Sequence, residues 1–208
     1  YLINKGVLFG KAFKTRDIIY MAIFGVLMVI WVQVIGRSLG FFAACNRIPI
    51  PYVNYAIGDV GYATIFVLGC LLVRKPGIGI GSLFVYGLVS QLIYYGFDPR
   101  WLVYNIAEGV PVDLYLAIAN KYFAAKHPQG LPEPVSGVVG ALDAGIIGFL
   151  RPFTAWVTLY YVFFPYLNHY YTVATVAWLH TITISVFNFI FGALLAYPIY
   201  RTIREVVL

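Results

Sequence analysis

From Asp17 to Gly40 the chain is apolar almost throughout, and charge returns only at Arg37. A run of about 20 apolar residues matches the thickness of a bilayer's hydrocarbon core. Comparable runs follow, and they predict spans at 17–40, 52–73, 78–96, 100–122, 135–166 and 171–200. Inside lipid each backbone polar group must be satisfied within its own segment, so helices are the economical solution. The expected fold is therefore an all-α integral membrane protein, a six-transmembrane-helix bundle forming one transmembrane domain over 1–208. Composition agrees: 62% of residues are hydrophobic and 11% charged, against about 25% charged in a soluble domain. A soluble enzyme, a disordered chain and a coiled coil are excluded on that ground. The expected location is the cell membrane, as a multi-pass protein.

The boundaries carry turn chemistry. Arg74-Lys75-Pro76-Gly77 stops the second span, and Gly96-Phe97-Asp98-Pro99 ends the third. A loop with Asn46, Arg47, Pro49 and Pro51 follows the first span. A polar segment with Lys126, His127, Pro128, Gly130, Pro132 and Pro134 precedes the fifth. The last two spans exceed what the hydrocarbon needs, which predicts tilting or a kink, with Pro152 the expected kink in the fifth. The first span reads as a retained helix rather than a cleavable signal. Cys45 and Cys70 fall near opposite ends of the second span, so no disulfide is expected between them.

The net charge is +6, and Lys and Arg collect in cytoplasmic loops. With the N-terminus inside, the cytoplasmic segments hold Lys5, Lys11, Lys14, Arg16, Arg74, Lys75, Lys121, Lys126, Arg201 and Arg204. The outer segments hold Arg37, Arg47 and Arg100, and Arg151 lies within a span. Ten against three predicts that both termini are cytoplasmic. Topology accounts for the positive charge, and no nucleic acid is needed.

Ionisable groups in hydrocarbon face the bundle interior or a water-filled cavity. At about 1.5 Å of rise per residue, Asp59 lies about 12 Å and Glu108 about 10 Å below the outer ends of their helices. Gln33, Arg37, Arg151 and His180 fall in the same outer half, so five of the six spans bring a polar group to one layer. Asp113 and Asp143 lie deeper. Tyr52, Tyr55, Asp59 and Tyr62 share a helical phase, as do Trp101, Tyr104 and Glu108, while Trp178, Thr181, Ser185 and Asn188 form a polar stripe. Carboxylates flanked by rings suit a flat cationic or hydrogen-bonding ligand, because rings stack and attract cations while carboxylates fix orientation. The expected substrate-binding set is Trp31, Gln33, Tyr55, Asp59, Trp101, Tyr104, Glu108, Arg151 and His180.

Other readings of these residues stand beside that one. Tyr52, Trp101, Tyr166, Tyr170 and Tyr171 suit interfacial anchors. Arg151 suits a bridge to Asp59 or Glu108, His180 a hydrogen-bonded packing residue, and Asp143 a cap or pair. Small residues form a second pattern: Gly137, Ala141 and Gly145 recur every four residues, as do Ser136, Gly140, Ala144 and Gly148. The third span holds Gly77, Gly79, Gly81 and Gly87, and the first holds Ala22 and Gly25. Such ridges serve close packing within a bundle or docking to a partner subunit.

Catalytic and metal signatures are missing from the sequence. There is no HExxH, no paired-Cys spacing, no Gly-x-Ser-x-Gly elbow and no voltage-sensor Arg repeat. His169 and His180 could serve as haem ligands, but His169 falls in a loop. No enzyme activity, no cofactor and no metal are expected.

Three segments carry a resemblance. They are Asp17-Ile18-Ile19-Tyr20-Met21-Ala22-Ile23-Phe24-Gly25-Val26, the turn Val73-Arg74-Lys75-Pro76-Gly77, and Tyr104-Asn105-Ile106-Ala107-Glu108-Gly109-Val110-Pro111-Val112-Asp113. Together they resemble the S components, the substrate-binding membrane subunits, of energy-coupling factor transporters, and most of all the hydroxymethylpyrimidine/thiamine-type branch. Glu108 takes a position where that branch usually has glutamine. Asp113 takes roughly the acidic position, with one extra residue between them. The likeness covers about residues 15–122. It implies a subunit that captures a small vitamin-like substrate from outside, with Ala22 and Gly25 docking to a partner. The implied partners are a transmembrane coupling subunit and two cytoplasmic ATPases, within the lipid bilayer. The other class to weigh is a structural or accessory subunit of a larger membrane complex. A self-sufficient secondary transporter would often show an internal repeat, and the two halves of the chain show no clear one.

Overall fold

The structure is a computed structural model, and it describes residues 13–50, 52–126, 137–158 and 174–207. Lys5, Lys11, the 127–136 segment, Tyr166, His169, Tyr170 and Tyr171 lie outside the described residues, as do both ends of the expected fifth span and the start of the sixth. All regular elements among the described residues are helices. They are α1 (Thr15–Val29), α2 (Phe41–Cys45), α3 (Val53–Gly58), α4 (Val60–Val73), α5 (Ile78–Ser90), α6 (Pro99–Lys126), α7 (Val138–Thr158), α8 (Ala174–Phe191) and α9 (Tyr197–Val207). Three wider π-helical segments extend or join them, at Ile30–Ser38, Gln91–Tyr95 and Gly192–Ala196.

Among the described residues, five stretches are long and apolar enough to cross a membrane: Thr15–Ser38, Ile78–Tyr95, Pro99–Lys121, Val138–Thr158 and Trp178–Glu205. The protein is a multi-pass membrane protein. Aliphatic side chains cover its outside, including Ile18, Ile19, Leu114 and Ile118, as a lipid-facing surface requires. Inside, Met28, Phe66, Val67, Ile78, Leu83, Val112, Leu116 and Ile147 pack in one core cluster. Helix α1 packs on α4 and α5, α5 on α6, α6 on α7, and α7 on α8.

The second expected span departs from the sequence reading. It is not one helix over 52–73 but two, α3 and α4, divided at Asp59. The cause lies on another element. The Trp31 indole N–H donates to the Gly58 carbonyl at 3.3 Å, diverting it from the helical ladder. The indole ring lies where a side chain at position 61 would project, so only Gly61 admits it. Tyr55, Asp59 and Tyr62 line one cavity across the break, but at different depths: Tyr62 is 4% exposed and Tyr55 57%. A short unexpected helix, α2, fills the loop after the first span.

Deep polar residues at the Arg74 end serve helix termini. Helix α4 stops at Arg74, which takes a left-handed conformation (φ 48°), and the Asn120 amide donates to its carbonyl at 2.8 Å. Asp113 accepts the Gly79 and Ile80 N–H groups, each at 2.9 Å, and so caps α5 from a neighbouring helix. That reach is possible because Gly109 lies against the Gly79–Ile80 backbone, where a Cβ would come within 2.6 Å. Asp17 accepts the Lys14 N–H and pairs with Lys75. Asp143 pairs with Arg74 at 2.5 Å and accepts the Tyr115 hydroxyl at 2.6 Å. Cys45 and Cys70 are both free and buried.

From Gly140 onward the small residues of the fifth span face inward, whereas Gly137 is exposed. Gly145 meets Phe189, Gly148 abuts the Asn188 carbonyl, and Gly192 abuts that of Ala144, so they set the α7–α8 contact. Gly25 was expected to dock a partner, but it is buried against Val85 and Ser82 of α5. Ala22 is exposed.

Candidate functional site

Three charged residues from three helices meet where the second span breaks. Asp59 sits at the α3–α4 break, Glu108 is on α6 and Arg151 on α7. Arg151 donates to Asp59, to Glu108 at 3.4 Å and to the Asn188 amide oxygen at 3.2 Å. Its guanidinium also lies 4.3 Å from the Tyr62 ring centroid, a cation–π contact strengthened by desolvation. Arg151 and Glu108 are each 5% exposed. One guanidinium thus serves two carboxylates.

The sequence builds this cluster in steps. Gly148, three residues before Arg151, lets α7 approach Asn188 on α8. Ser185 and Asn188 return their own donors to the carbonyls of Thr181 and Ile184, at 2.7 and 2.9 Å. The Asn188 Oδ1 is left for Arg151. The expected stripe on the last span is therefore real for Thr181, Ser185 and Asn188, all buried, whereas Trp178 is exposed. Helix α7 continues through Pro152.

Two cavities adjoin the cluster, of about 600 and 400 Å³. Asp59, Tyr62, Tyr104, Glu108 and Arg151 line both, together with Val32 and Phe42. The larger extends past Tyr86, Trp101 and Asn105 towards Arg37 and Asp98. Trp101 and Tyr104 stand edge to face, 5.6 Å between centroids. The smaller extends towards Tyr55, Asn54 and Trp156.

The expected site residues divide accordingly. Asp59, Trp101, Tyr104, Glu108 and Arg151 line the larger cavity, and Tyr55 lines the smaller. Trp31 lines neither; it wedges the helix break and meets Phe41 edge to face. Gln33 also lines neither, and its amide donates to the Tyr95 hydroxyl at 2.9 Å. His180 lies behind the wall, with ring centroids of Trp156 at 4.2 Å and of Tyr52 and Tyr55 at 5.1 and 5.3 Å. Ser90, Gln91 and Tyr86 were passed over by the sequence reading. Gln91 could have been found by the argument that selected Gln33, since both are amides inside apolar spans.

At the mouth, Asp98 accepts from the Arg100 guanidinium at 2.7 Å. Those hydrogen bonds hold the Asp98 carboxyl below the usual carboxylate range. The Arg37 guanidinium lies over the Tyr95 ring at 4.9 Å.

The family of ABC-type cobalt transport system permease components matches this chain over residues 16–130, more than half of its 208. No curated protein and no solved structure matches.

Proposed function

This chain belongs to the permease-component family of ABC-type cobalt transport systems, and we propose that it is the substrate-capture subunit of an energy-coupling factor importer. Membership makes it a membrane component of an ABC-type transporter. The finer reading is a six-span subunit with both termini cytoplasmic, the broken α3–α4 unit counted as one span. It performs no chemistry of its own. A transmembrane coupling subunit and two cytoplasmic ATPases supply the movement.

The ligand in this reading is a small, flat, cationic or hydrogen-bonding vitamin or precursor of the thiamine or hydroxymethylpyrimidine kind. One observation carries it: Asp59 and Glu108 share a single arginine beside a cavity walled by Tyr62, Tyr86, Trp101 and Tyr104. The carboxylates fix the orientation of a positive or hydrogen-bonding ligand, and the rings stack on it. The cobalt of the family description is not carried over to this chain. Among the described residues, no three His, Cys, Asp or Glu side chains gather.

The test is native mass spectrometry of gently purified protein, with identification of any small molecule released. A co-purifying pyrimidine or thiazolium compound is the expected result. An empty protein bound tightly to non-transport membrane subunits would overturn the reading, and the charge cluster would then be a structural bridge in an accessory subunit.

A further inference from the structure

Charge occupies only part of the larger cavity's wall. Another part is neutral and polar, and it is built where α5 widens into the π-helical segment Gln91–Tyr95. Ser90 and Gln91 line this cavity and are 5% and 4% exposed. Gln91 Oε1 accepts the Asp98 N–H at 2.7 Å, which fixes the amide's orientation and turns Nε2 the other way. Among the described residues, neither Gln91 Nε2 nor Ser90 Oγ has a hydrogen-bond partner. Leaving a buried polar group unpaired costs about 1–3 kcal/mol, and such groups in a native fold call for a reason.

A loose side chain is not that reason, because the π turn is braced. Gln33 holds the Tyr95 hydroxyl, Arg37 covers the Tyr95 ring, and Gly96 ends the turn at φ 77°. Both braces come from the other π segment of the same end, Ile30–Ser38. π turns recur at functional sites because the extra residue re-aims the side chains that follow.

We propose that Ser90 and Gln91 form a specificity subsite that donates hydrogen bonds to an acceptor on the uncharged part of the ligand, such as a ring nitrogen. The cationic part faces Asp59 and Glu108. The ligand class is then a heteroaromatic molecule with a positive end and an acceptor end, and the inference rests on the capture reading above.

The experiment measures binding of three probes to the purified full chain: thiamine and its two pyridyl analogues, each with one pyrimidine nitrogen replaced by C–H. In the wild type, one analogue binds at least about tenfold more weakly than thiamine. In Gln91→Leu, thiamine weakens by about tenfold while that analogue changes by less than about twofold, the signature of a shared contact. Ser90→Ala, which deletes one oxygen and keeps the fold, moves the same ratio by about threefold and serves if Gln91→Leu does not fold. Equal binding of all three probes to the wild type leaves the capture reading standing and overturns the subsite. So does an equal loss for all three in Gln91→Leu. A wild type that binds no probe overturns the thiamine-like capture reading, and the subsite falls with it.

Discussion

The two ends of the bundle bury charge in different ways. At the Arg74 end, Asp17, Asp113 and Asp143 each meet partners that the fold itself requires: a lysine and a helix start, two backbone N–H groups, an arginine and a tyrosine. Helix ends there are satisfied without involving a ligand. About 21 Å away along α4, Asp59 and Glu108 divide one arginine between them, and two cavities open beside them. A buried carboxylate is therefore no signature of a site. Two carboxylates that share an arginine beside empty volume are one.

The sharpest way to break this comparison is to remove the cation at each end. Arg151→Met leaves Asp59 and Glu108 facing each other without compensation. Thermal unfolding in detergent should show a loss of about 3–5 kcal/mol, and thiamine binding should disappear. Arg74→Met also strands a buried carboxylate, but Arg74 is partly exposed, so the loss should be about 2–3 kcal/mol. Thiamine affinity of the folded fraction should stay unchanged by calorimetry; a collapse of affinity there would erase the distinction between the ends.

Glu108→Gln tests the Asp59–Glu108 cluster more gently, because it keeps shape and removes one charge. Affinity for thiamine should fall at least about tenfold, or about 1.4 kcal/mol, with little change in unfolding. Unchanged affinity would remove Glu108 from the ligand's surroundings. The smallest effect belongs to the mouth. Arg100 lowers the Asp98 proton affinity in the folded state, so the pair's contribution is complete at neutral pH and fades as pH falls through the folded value. The unfolding midpoint of Arg100→Gln should lie slightly below that of the wild type between about pH 7 and 5 and converge with it below about pH 4, where carboxylates protonate.

Much of this was legible in the chain. Hydropathy placed the helices, and Arg74-Lys75-Pro76-Gly77 and Gly96-Phe97-Asp98-Pro99 marked two real ends. Rise per residue put Asp59, Glu108 and Arg151 at one depth, where the structure bonds them. What depth cannot give is azimuth. Trp31 has the right height for a stacking ring but turns towards Gly58 and Gly61, and Gly25 turns towards α5. Neither direction follows from its own helix, since each is set by the shape of a neighbour. The break at Asp59 was hidden for the same reason, and the π turns because a widened, under-wound turn leaves no compositional mark.

The break at Asp59 also sets how much of the bundle's depth α4 fills. Helix α4 has 14 residues and is about 21 Å long, against a hydrocarbon thickness of about 30 Å. None of its residues is exposed, so neighbouring helices and not lipid surround it. The shortfall is therefore met inside the protein, where α3 and the two cavities beside Asp59 take the depth that α4 leaves. A bundle with a short inner helix keeps open volume at one end without shortening the wall that faces lipid.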